Sequence, residues 1–174
     1  LWLCAALLKP SAMDWLVQKS VELGAAELAP VLADRSEAVP RGEKAAKRRD
    51  RWERIAVQAA KQCGISRLPR ILAPKALDDL LAVDGARDLH ASLGPASRPL
   101  WSVVEEGGFG EGPVRVWSGP EGDWSGDEEA RLREAGSRPV SLGPRVLRAE
   151  TAALYALSVL GAFREIQPHR ESGT

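Results

Sequence analysis

Apolar and polar positions form alternating blocks along the chain, and these blocks predict strands and helices in turn. Short apolar runs predict strands over residues 1–8, 27–32, 89–93, 114–118 and 139–142. Apolar residues at helical spacing predict helices over residues 11–24, 43–63, 76–81, 125–135 and 149–163. Strands that alternate with helices indicate an α/β fold, with a mostly parallel sheet and helices on both of its faces.

Helix ends carry recognisable local signals. Ser11 with Asp14, and Ser125 with Glu128, have the three-residue spacing of a capping box. We expect three helices to stop at glycines, namely Gly24, Gly64 and Gly136.

The remaining segments lack a clear period. Residues 68–72 contain a proline and are at most an edge strand. Residues 33–42 are polar and residues 94–112 are rich in Gly and Pro, so we predict that they are mostly loop. The polar tail from Gln167 is expected to be loose.

Composition narrows the class of protein. The 174 residues are 44% apolar and 28% charged, which is typical of one soluble globular domain. Because 24 Lys and Arg balance 24 Asp and Glu, any nucleic-acid surface must be a local patch. No apolar run reaches the roughly 20 residues that span a bilayer. The chain lacks an initiator Met and opens on an apolar run, which we interpret as the later part of a longer protein.

Several common chemistries lack their residue patterns. Cys4 and Cys63 have no zinc-ligand spacing, and we expect two reduced, buried thiols in a cytosolic protein. His90 and His169 are far apart and have no partner pattern, so neither a metal site nor a Ser-His-Asp site is expected. P-loop and G-x-G-x-x-G motifs are absent.

Two Gly-Pro loops each follow a predicted strand. They read S-G-P-E-G at 118–122 and S-L-G-P-R-V-L-R-A-E-T at 141–151. Parallel sheets bind ligands at the carboxyl ends of their strands, where loop amides can hold an anion or a nucleotide. The two loops therefore predict a backbone-lined pocket for a small ligand. Taken alone, G-P-x-G is more often an ordinary strand-to-helix turn.

Two sets of cations have alternative interpretations. In the second loop, Arg148 lies two residues from Glu150 at the start of an apolar helix. An Arg in this setting binds an oxyanion or forms a structural bridge to a carboxylate, and the sequence leaves both open. The segment 41–54 either contacts phosphates or is a solvated helix face balanced by its acidic residues, and the second interpretation is favoured.

Three further motifs complete an ordered set. They read W-L-V-Q-K-S-V-E-L-G at 15–24, A-P-V-L-A-D-R-S-E at 29–37 and R-W-E-R-I-A-V-Q-A-A-K-Q-C-G at 51–64. Together with the two loops, the chain resembles the RsmE-type 16S ribosomal RNA uridine-N3 methyltransferases of the SPOUT superfamily. The resemblance covers nearly the whole chain. The ordered set is specific, although no single motif is.

The resemblance implies a fold and a biological setting that the pattern of elements does not give. It implies one SPOUT-type domain over residues 1–174 with a C-terminal trefoil knot, and a homodimer formed through the knot region. The partner would be 16S ribosomal RNA or the small ribosomal subunit, in the cytoplasm, without membrane or metal. By the same resemblance, we expect the family's small N-terminal RNA-binding, PUA-like domain to be absent from this chain.

The resemblance also implies roles for particular residues. S-adenosylmethionine would bind at Leu93, Gly94, Ser118, Gly119, Pro120, Glu121, Gly122, Leu142, Gly143, Val146, Leu147 and Arg148. Catalysis would use Arg148, which stabilises the uridine anion, and Glu150, which orients Arg148 or, less favourably, acts as the base. RNA would contact Lys19, Arg35, Gln62 and Arg67.

Three positions depart from the family pattern and bear on donor affinity. Asp123 stands where a glycine is usual, Ala149 stands where a threonine is usual, and the loop after Leu93 reads G-P-A-S. They leave alternatives open: a non-catalytic RNA-binding SPOUT paralogue, or a SPOUT methyltransferase with another RNA target. A nucleotide-binding domain of unrelated chemistry requires the motif set to be a coincidence.

Overall fold

The sheet runs through the centre of the molecule and all its pairings are parallel. The computed structural model describes residues 1–36, 42–83, 85–107, 109 and 112–166. The strands are β1 (Trp2–Ala6), β2 (Glu27–Leu32), β3 (Arg70–Ile71), β4 (Lys75–Ala76), β5 (Arg87–Ala91), β6 (Arg98–Pro99), β7 (Val114–Ser118) and β8 (Arg138–Ser141). Their order is β3-β2-β1-β7-β5-β8-β6, and β4 also pairs with β2.

Helices connect the strands and cover both faces of the sheet. They are α1 (Pro10–Glu22), α2 (Glu43–Cys63), α3 (Leu77–Leu81), α4 (Leu100–Glu105), α5 (Gly126–Glu134) and α6 (Ala149–Ile166). The predicted α/β class with a mostly parallel sheet is confirmed. The trefoil knot stays a prediction.

Strand β1 shows how the sheet separates two cores. Leu3 and Ala5 point into a core that α1, α2, α4 and α6 complete. Cys4 and Ala6 point to the other face, where α3 and α5 pack over them. Because alternate side chains of a strand face opposite ways, an unbroken apolar run belongs in a sheet that is covered on both sides.

Helix α1 begins differently from the prediction. The Ser11–Asp14 capping box is wrong, because the helix starts at Pro10 with Lys9 as its N-cap and without a side-chain cap. Proline is favoured at this first position because it has no N–H to leave unpaired. The Asp14 carboxylate instead accepts hydrogen bonds from Arg51 on α2, the shorter at 2.7 Å.

The other helix-end predictions are confirmed. Ser125 and Glu128 form a reciprocal capping box at the start of α5. Each predicted stop glycine has a positive φ, namely Gly24, Gly64 and Gly136. Residues 68–72 contribute the short strand β3 at the edge of the sheet, as expected.

The prediction that residues 94–112 are mostly loop missed two elements. This segment contains β6 and the whole of α4. Leu100, Val103 and Val104 of α4 are buried in the main core, and their burial outweighs the Gly and Pro content on which the prediction depended. Residues 37–41 of the other predicted loop, and the tail from Gln167, lie outside the described residues.

The prediction for the cysteines is half right. Both are free thiols. Cys4 is buried, and burial raises the pKa of its thiol. Cys63 is exposed, as are all of residues 61–68 at and after the end of α2, so the expectation that it is buried is wrong. Across the described residues, no helix is long and apolar enough to cross a membrane.

A buried ion pair joins β5 and β7 near the start of both strands. Arg115 and Asp88 lie 2.5 Å apart, with side chains only 6% and 9% exposed. The Arg115 guanidinium also donates to the carbonyl of Leu80 at 2.8 Å, and the indole N–H of Trp117 donates to Asp88 at 2.6 Å. The pair is therefore satisfied on both sides.

We predict that Asp88→Ala lowers the free energy of unfolding by about 3–5 kcal/mol, because it leaves the buried Arg115 charge unpaired. The matched control is Asp78→Ala, since Asp78 pairs with Arg131 at 3.0 Å on the surface. That pair contributes about 1 kcal/mol or less. Urea denaturation followed by circular dichroism measures both losses. Equal losses would contradict a special role for the buried pair.

Candidate ligand-binding cleft

A cleft of about 170 Å³ opens at the carboxyl ends of three neighbouring strands. Strand β5 lies between β7 and β8, so the loops that follow these three strands meet. They are defined here as the β5 loop (residues 92–97), the β7 loop (residues 119–124) and the β8 loop (residues 142–148). Parallel pairing thus brings together segments that are distant in sequence.

Most of the predicted cofactor-binding residues line this cleft. The lining includes Leu93, Ser118, Gly119, Pro120, Glu121, Leu142, Gly143, Val146 and Leu147. The other three predicted residues, Gly94, Gly122 and Arg148, do not line the cleft. Each of them is the next residue in the sequence after one that does. The structure therefore brings the predicted set to one place.

The β8 loop leaves its backbone donors free. Among the described residues, no backbone N–H from 143 to 148 donates to another part of the chain. Two large apolar side chains of the cleft are unusually exposed, Leu93 at 65% and Val146 at 77%. Unpaired amides beside open apolar surface suit a ligand with a flat apolar body and polar edges.

The β7 loop is tightly packed around Gly119. A Cβ at this position would lie 3.3 Å from the backbone nitrogen of Trp124. Asp123 has a φ of 60°, and it is the one non-glycine residue with positive φ among those that the structure describes. This left-handed conformation suits glycine better than a residue with a side chain.

The Asp123 carboxylate spans two loops of the cleft. One oxygen accepts from the backbone N–H of Trp124 at 2.9 Å, and the other lies 3.5 Å from the backbone nitrogen of Leu93. The Asp123 carboxylate therefore joins the β5 loop to the β7 loop. It adds a negative charge to the wall of the cleft.

A polar network supports the β5 loop from below. The Ser92 hydroxyl donates to Glu129 at 2.8 Å and accepts from the backbone N–H of Gly94 at 3.0 Å. His90 is fully buried beside it, with Nδ1 2.9 Å from the Ser137 hydroxyl. Its Nε2 has no hydrogen-bond partner among the described residues and lies 3.9 Å from Glu129. Burial lowers the pKa of His90 to about 4, although the Glu129 carboxylate opposes the shift.

Arg148 and Glu150 do not pair with each other. Arg148 is exposed and Glu150 is half-buried, and no ion pair of either side chain occurs within the described part of the chain. The structural Arg–Glu bridge, one of the two alternatives for this loop, is thus not seen. The guanidinium at the end of the β8 loop is accessible to a ligand.

The four predicted RNA-binding residues lie on different segments of the chain. Lys19, in the last turn of α1, pairs with Glu22 at 2.8 Å. Gln62 lines a groove between α1 and α2, and Arg67 is exposed in the segment after α2. Arg35 follows β2 and donates to the carbonyl of Gly122 in the β7 loop. Of the four, only Arg35 contacts a loop of the cleft.

Helix α2 has the solvated face that the sequence favoured. Arg49 pairs with Glu53 at 2.8 Å and Lys47 lies 3.7 Å from Glu43, each one helical turn away. Arg51 is bound to Asp14 of α1. Position 41, where the basic segment begins, lies outside the described residues. Three cations of this segment are therefore each balanced by a carboxylate of the protein.

Sequence reasoning missed the residues that hold the loops from behind. Ser92 and Glu129 form the hydrogen bonds that hold the β5 loop. Ser92 directly precedes Leu93, a predicted cofactor-binding residue, and this adjacency could have indicated its role. Glu129 carries no such signal, because one carboxylate on an amphipathic helix looks like any other. No group of His, Cys, Asp and Glu in the described ranges is arranged to hold a metal ion.

Comparison with known proteins identifies the class that this fold and cleft define. Residues 1–161 match a family model described as an RNA methyltransferase domain. The chain belongs to this family of RNA methyltransferase domains.

Similar relatives and solved structures refine the comparison. Ribosomal RNA small subunit methyltransferase E of Bacillus subtilis is 33% identical over 95% of this chain and 66% of its own length. The same-named protein of Synechocystis is 30% identical over 94% of this chain and 53% of its own. The chain thus spans between half and two thirds of these relatives.

Two solved structures share the fold closely. A putative methyltransferase of Legionella pneumophila, solved in complex with the bound cofactor SAM, has a TM-score of 0.85 and 34% identity, covering 92% of this chain and 65% of its own. A ribosomal RNA small subunit methyltransferase E of Neisseria gonorrhoeae, bound to S-adenosyl methionine, has a TM-score of 0.82 and 31% identity, covering the same shares.

The buried His90 predicts a pH-dependent stability. Its folded pKa of about 4 lies below the ordinary value of 6.5, so between these values the unfolded chain binds a proton that the folded protein does not. Stability therefore falls as the pH decreases through this window. From about pH 7 to about pH 5, we expect the wild type to lose about 2 kcal/mol more than His90→Gln. Urea denaturation at both pH values measures this, and equal losses would contradict a neutral buried imidazole.

Proposed function

We propose that this protein is an S-adenosylmethionine-dependent RNA methyltransferase that methylates ring nitrogen 3 of a uridine in 16S ribosomal RNA. The cleft at the ends of β5, β7 and β8, with its unpaired amides between residues 143 and 148, is the observation that carries the proposal. The relatives named for methylation of small-subunit ribosomal RNA, and the neighbours solved with the methyl donor, support it.

The residues of the cleft fit the methyl donor. Leu93, Leu142 and Val146 offer apolar surface to an adenine ring, and the free amides of the β8 loop offer hydrogen bonds to its edge. Glu121 and Asp123 offer carboxylates to a cation. When bound, S-adenosylmethionine supplies an electrophilic methyl group on a sulfonium. The loops would hold it in line with the attacking nitrogen, so positioning contributes much of the rate.

Arg148 is the residue we assign to the nucleophile. Ring nitrogen 3 of uridine carries a proton and attacks well only after losing it, so a cation beside the two flanking carbonyls favours the anion. Arg148 ends the β8 loop with an exposed guanidinium, which has the planar fork that two oxygens require. Glu150 lies on the first turn of α6, from where we assign it to orienting Arg148 on substrate binding, or less favourably to acting as the base.

The assembly and setting are part of the same proposal. We assign residues 1–174 to one SPOUT domain with a knotted C-terminus, acting in the cytoplasm on 16S ribosomal RNA or the small subunit. A homodimer through the knot region is supported by exposed apolar side chains on and near α6, namely Tyr155 at 46%, Ile166 at 50% and Trp101 at 46%. Exposed large apolar groups in proximity are typical of an interface.

One observation favours a second candidate. Asp123 places a charged side chain in the wall of the cleft, at a backbone conformation that suits glycine. A non-catalytic RNA-binding SPOUT paralogue would tolerate such a change, whereas a donor site must accommodate it. Donor binding separates the two candidates.

We predict that the wild type binds S-adenosylmethionine and S-adenosylhomocysteine with micromolar Kd in a calorimetric titration. Gly119→Ala should weaken binding at least about tenfold, because an added Cβ meets the backbone of Trp124. Gly161→Ala is the matched control, since an added Cβ there has open space. A folded wild type that binds neither ligand would contradict the methyltransferase and favour the paralogue.

We predict that Arg148→Ala lowers the rate of methyl transfer to 16S ribosomal RNA by about 100-fold or more, as for the loss of one charge-stabilising donor. The Kd for S-adenosylmethionine should change little, because the guanidinium acts on the nucleophile. Arg148→Lys keeps the charge without the planar fork. Its rate of methyl transfer should therefore lie between that of the wild type and that of Arg148→Ala. Single-turnover assays with labelled donor give the rate. An unchanged rate in Arg148→Ala would remove the assigned role.

A further inference from the structure

The segment that follows β2 is hydrogen-bonded to the β7 loop of the cleft. Arg35 Nη1 donates to the carbonyl oxygen of Gly122 at 2.5 Å and to that of Trp124 at 3.3 Å. Both carbonyls belong to the β7 loop. Strand β1 lies between β2 and β7 in the sheet. The Arg35 side chain therefore reaches past the position of β1 to contact this loop.

The Arg35 side chain also packs closely against Gly122. A Cβ on Gly122 would lie 3.2 Å from Cδ and 3.5 Å from Cβ of Arg35. Since Gly122 does not line the cleft itself, its small size serves the approach of Arg35 rather than that of a ligand. The sequence prediction had assigned this glycine to the cofactor.

Buried Glu128 anchors the same two segments further along. It is only 1% exposed, and one of its carboxylate oxygens accepts from the backbone N–H of Asp34 at 2.9 Å. The other accepts from the backbone N–H of Ser125 at 2.8 Å, and the Ser125 hydroxyl donates to Asp34 at 2.6 Å. We call the hydrogen bonds between residues 34–35 and residues 122–128 the interlock.

The β7 loop has few backbone hydrogen bonds of its own. Within the loop, one backbone hydrogen bond joins the described residues, from Asp123 N–H to the Pro120 carbonyl at 2.9 Å. Yet the loop supplies Gly119, Pro120 and Glu121 to the wall of the cleft. Few internal bonds leave a loop free to open locally unless something outside holds it.

We infer that Arg35 is a positioning residue for the donor site, which holds the β7 loop in its binding conformation, and not a contact to RNA. The inference rests on the proposed function. Arg35 already uses Nη1 on two loop carbonyls, and a phosphate would have to compete with them. Charged donors form stronger hydrogen bonds to carbonyls than neutral donors do, so truncation of Arg35 removes a substantial constraint.

The test compares Arg35→Ala and Arg35→Lys with the wild type by three measurements. Amide hydrogen exchange of residues 119–124, without any ligand, reports on the loop itself. Calorimetry with S-adenosylmethionine, and fluorescence anisotropy with labelled oligouridylate, report on donor and RNA. Arg49→Ala is the control, because it removes another exposed arginine whose partner, Glu53, lies on the same helix.

In Arg35→Ala, we expect the amide hydrogens of the β7 loop to exchange faster than in the wild type. We also expect the Kd for S-adenosylmethionine to rise about tenfold, which corresponds to about 1.4 kcal/mol. Arg35→Lys should show a smaller effect, and Arg49→Ala none. The Kd for oligouridylate should stay as in the wild type. Unchanged exchange in Arg35→Ala, or weaker RNA binding with unchanged donor binding, would overturn the inference.

A double-mutant cycle guards against a general loss of structure. Gly122→Ala displaces Arg35 by contact, so it should weaken donor binding in the wild type but add little in the Arg35→Ala background. Additive losses would overturn the inference. A wild type that binds no donor would refute the proposed function, while hydrogen exchange would still decide whether Arg35 holds the loop.

Discussion

Parallel pairing of β5 between β7 and β8 is the constraint on which the rest of this structure depends. It places three strand ends side by side, so that three loops share one cleft although they lie up to fifty residues apart in sequence. In the β8 loop, the backbone N–H groups of residues 143–148 donate to no other part of the described chain, which makes the cleft a site for a ligand with polar edges.

The polar groups behind the cleft hold its loops in place, whereas those that line the cleft are available to a ligand. The Ser92–Glu129 pair holds the β5 loop, and the Arg35 guanidinium binds two carbonyls of the β7 loop. Glu129 lies on the first turn of α5. Rigid support of this kind reduces the ordering cost of ligand binding. The net charge of the protein is zero, so the protein as a whole offers little general attraction to RNA.

Much of the fold could be predicted from the sequence, because strands buried on both faces give continuous apolar runs and helices give a clear period. The exact match of the predicted and observed limits of β2, β7 and α2 reflects strong local signals at those ends. Helix α4 was missed since its burial depends on tertiary contacts that composition conceals. The Ser11–Asp14 cap failed because Pro10 begins α1 one residue earlier. The cleft residues were found through the resemblance, whereas Arg35, Ser92 and Glu129 act through long-range contacts that no spacing reveals.

The central claim is that the three loops bind the methyl donor. Its most direct test is a nuclear magnetic resonance titration of the isotope-labelled protein with S-adenosylmethionine, followed through the backbone amide shifts. The account predicts that the largest changes fall within residues 92–97, 119–124 and 142–148, with the free amides of 143–148 foremost. Changes concentrated elsewhere, for example in the groove between α1 and α2, or no changes at saturating ligand, would contradict it.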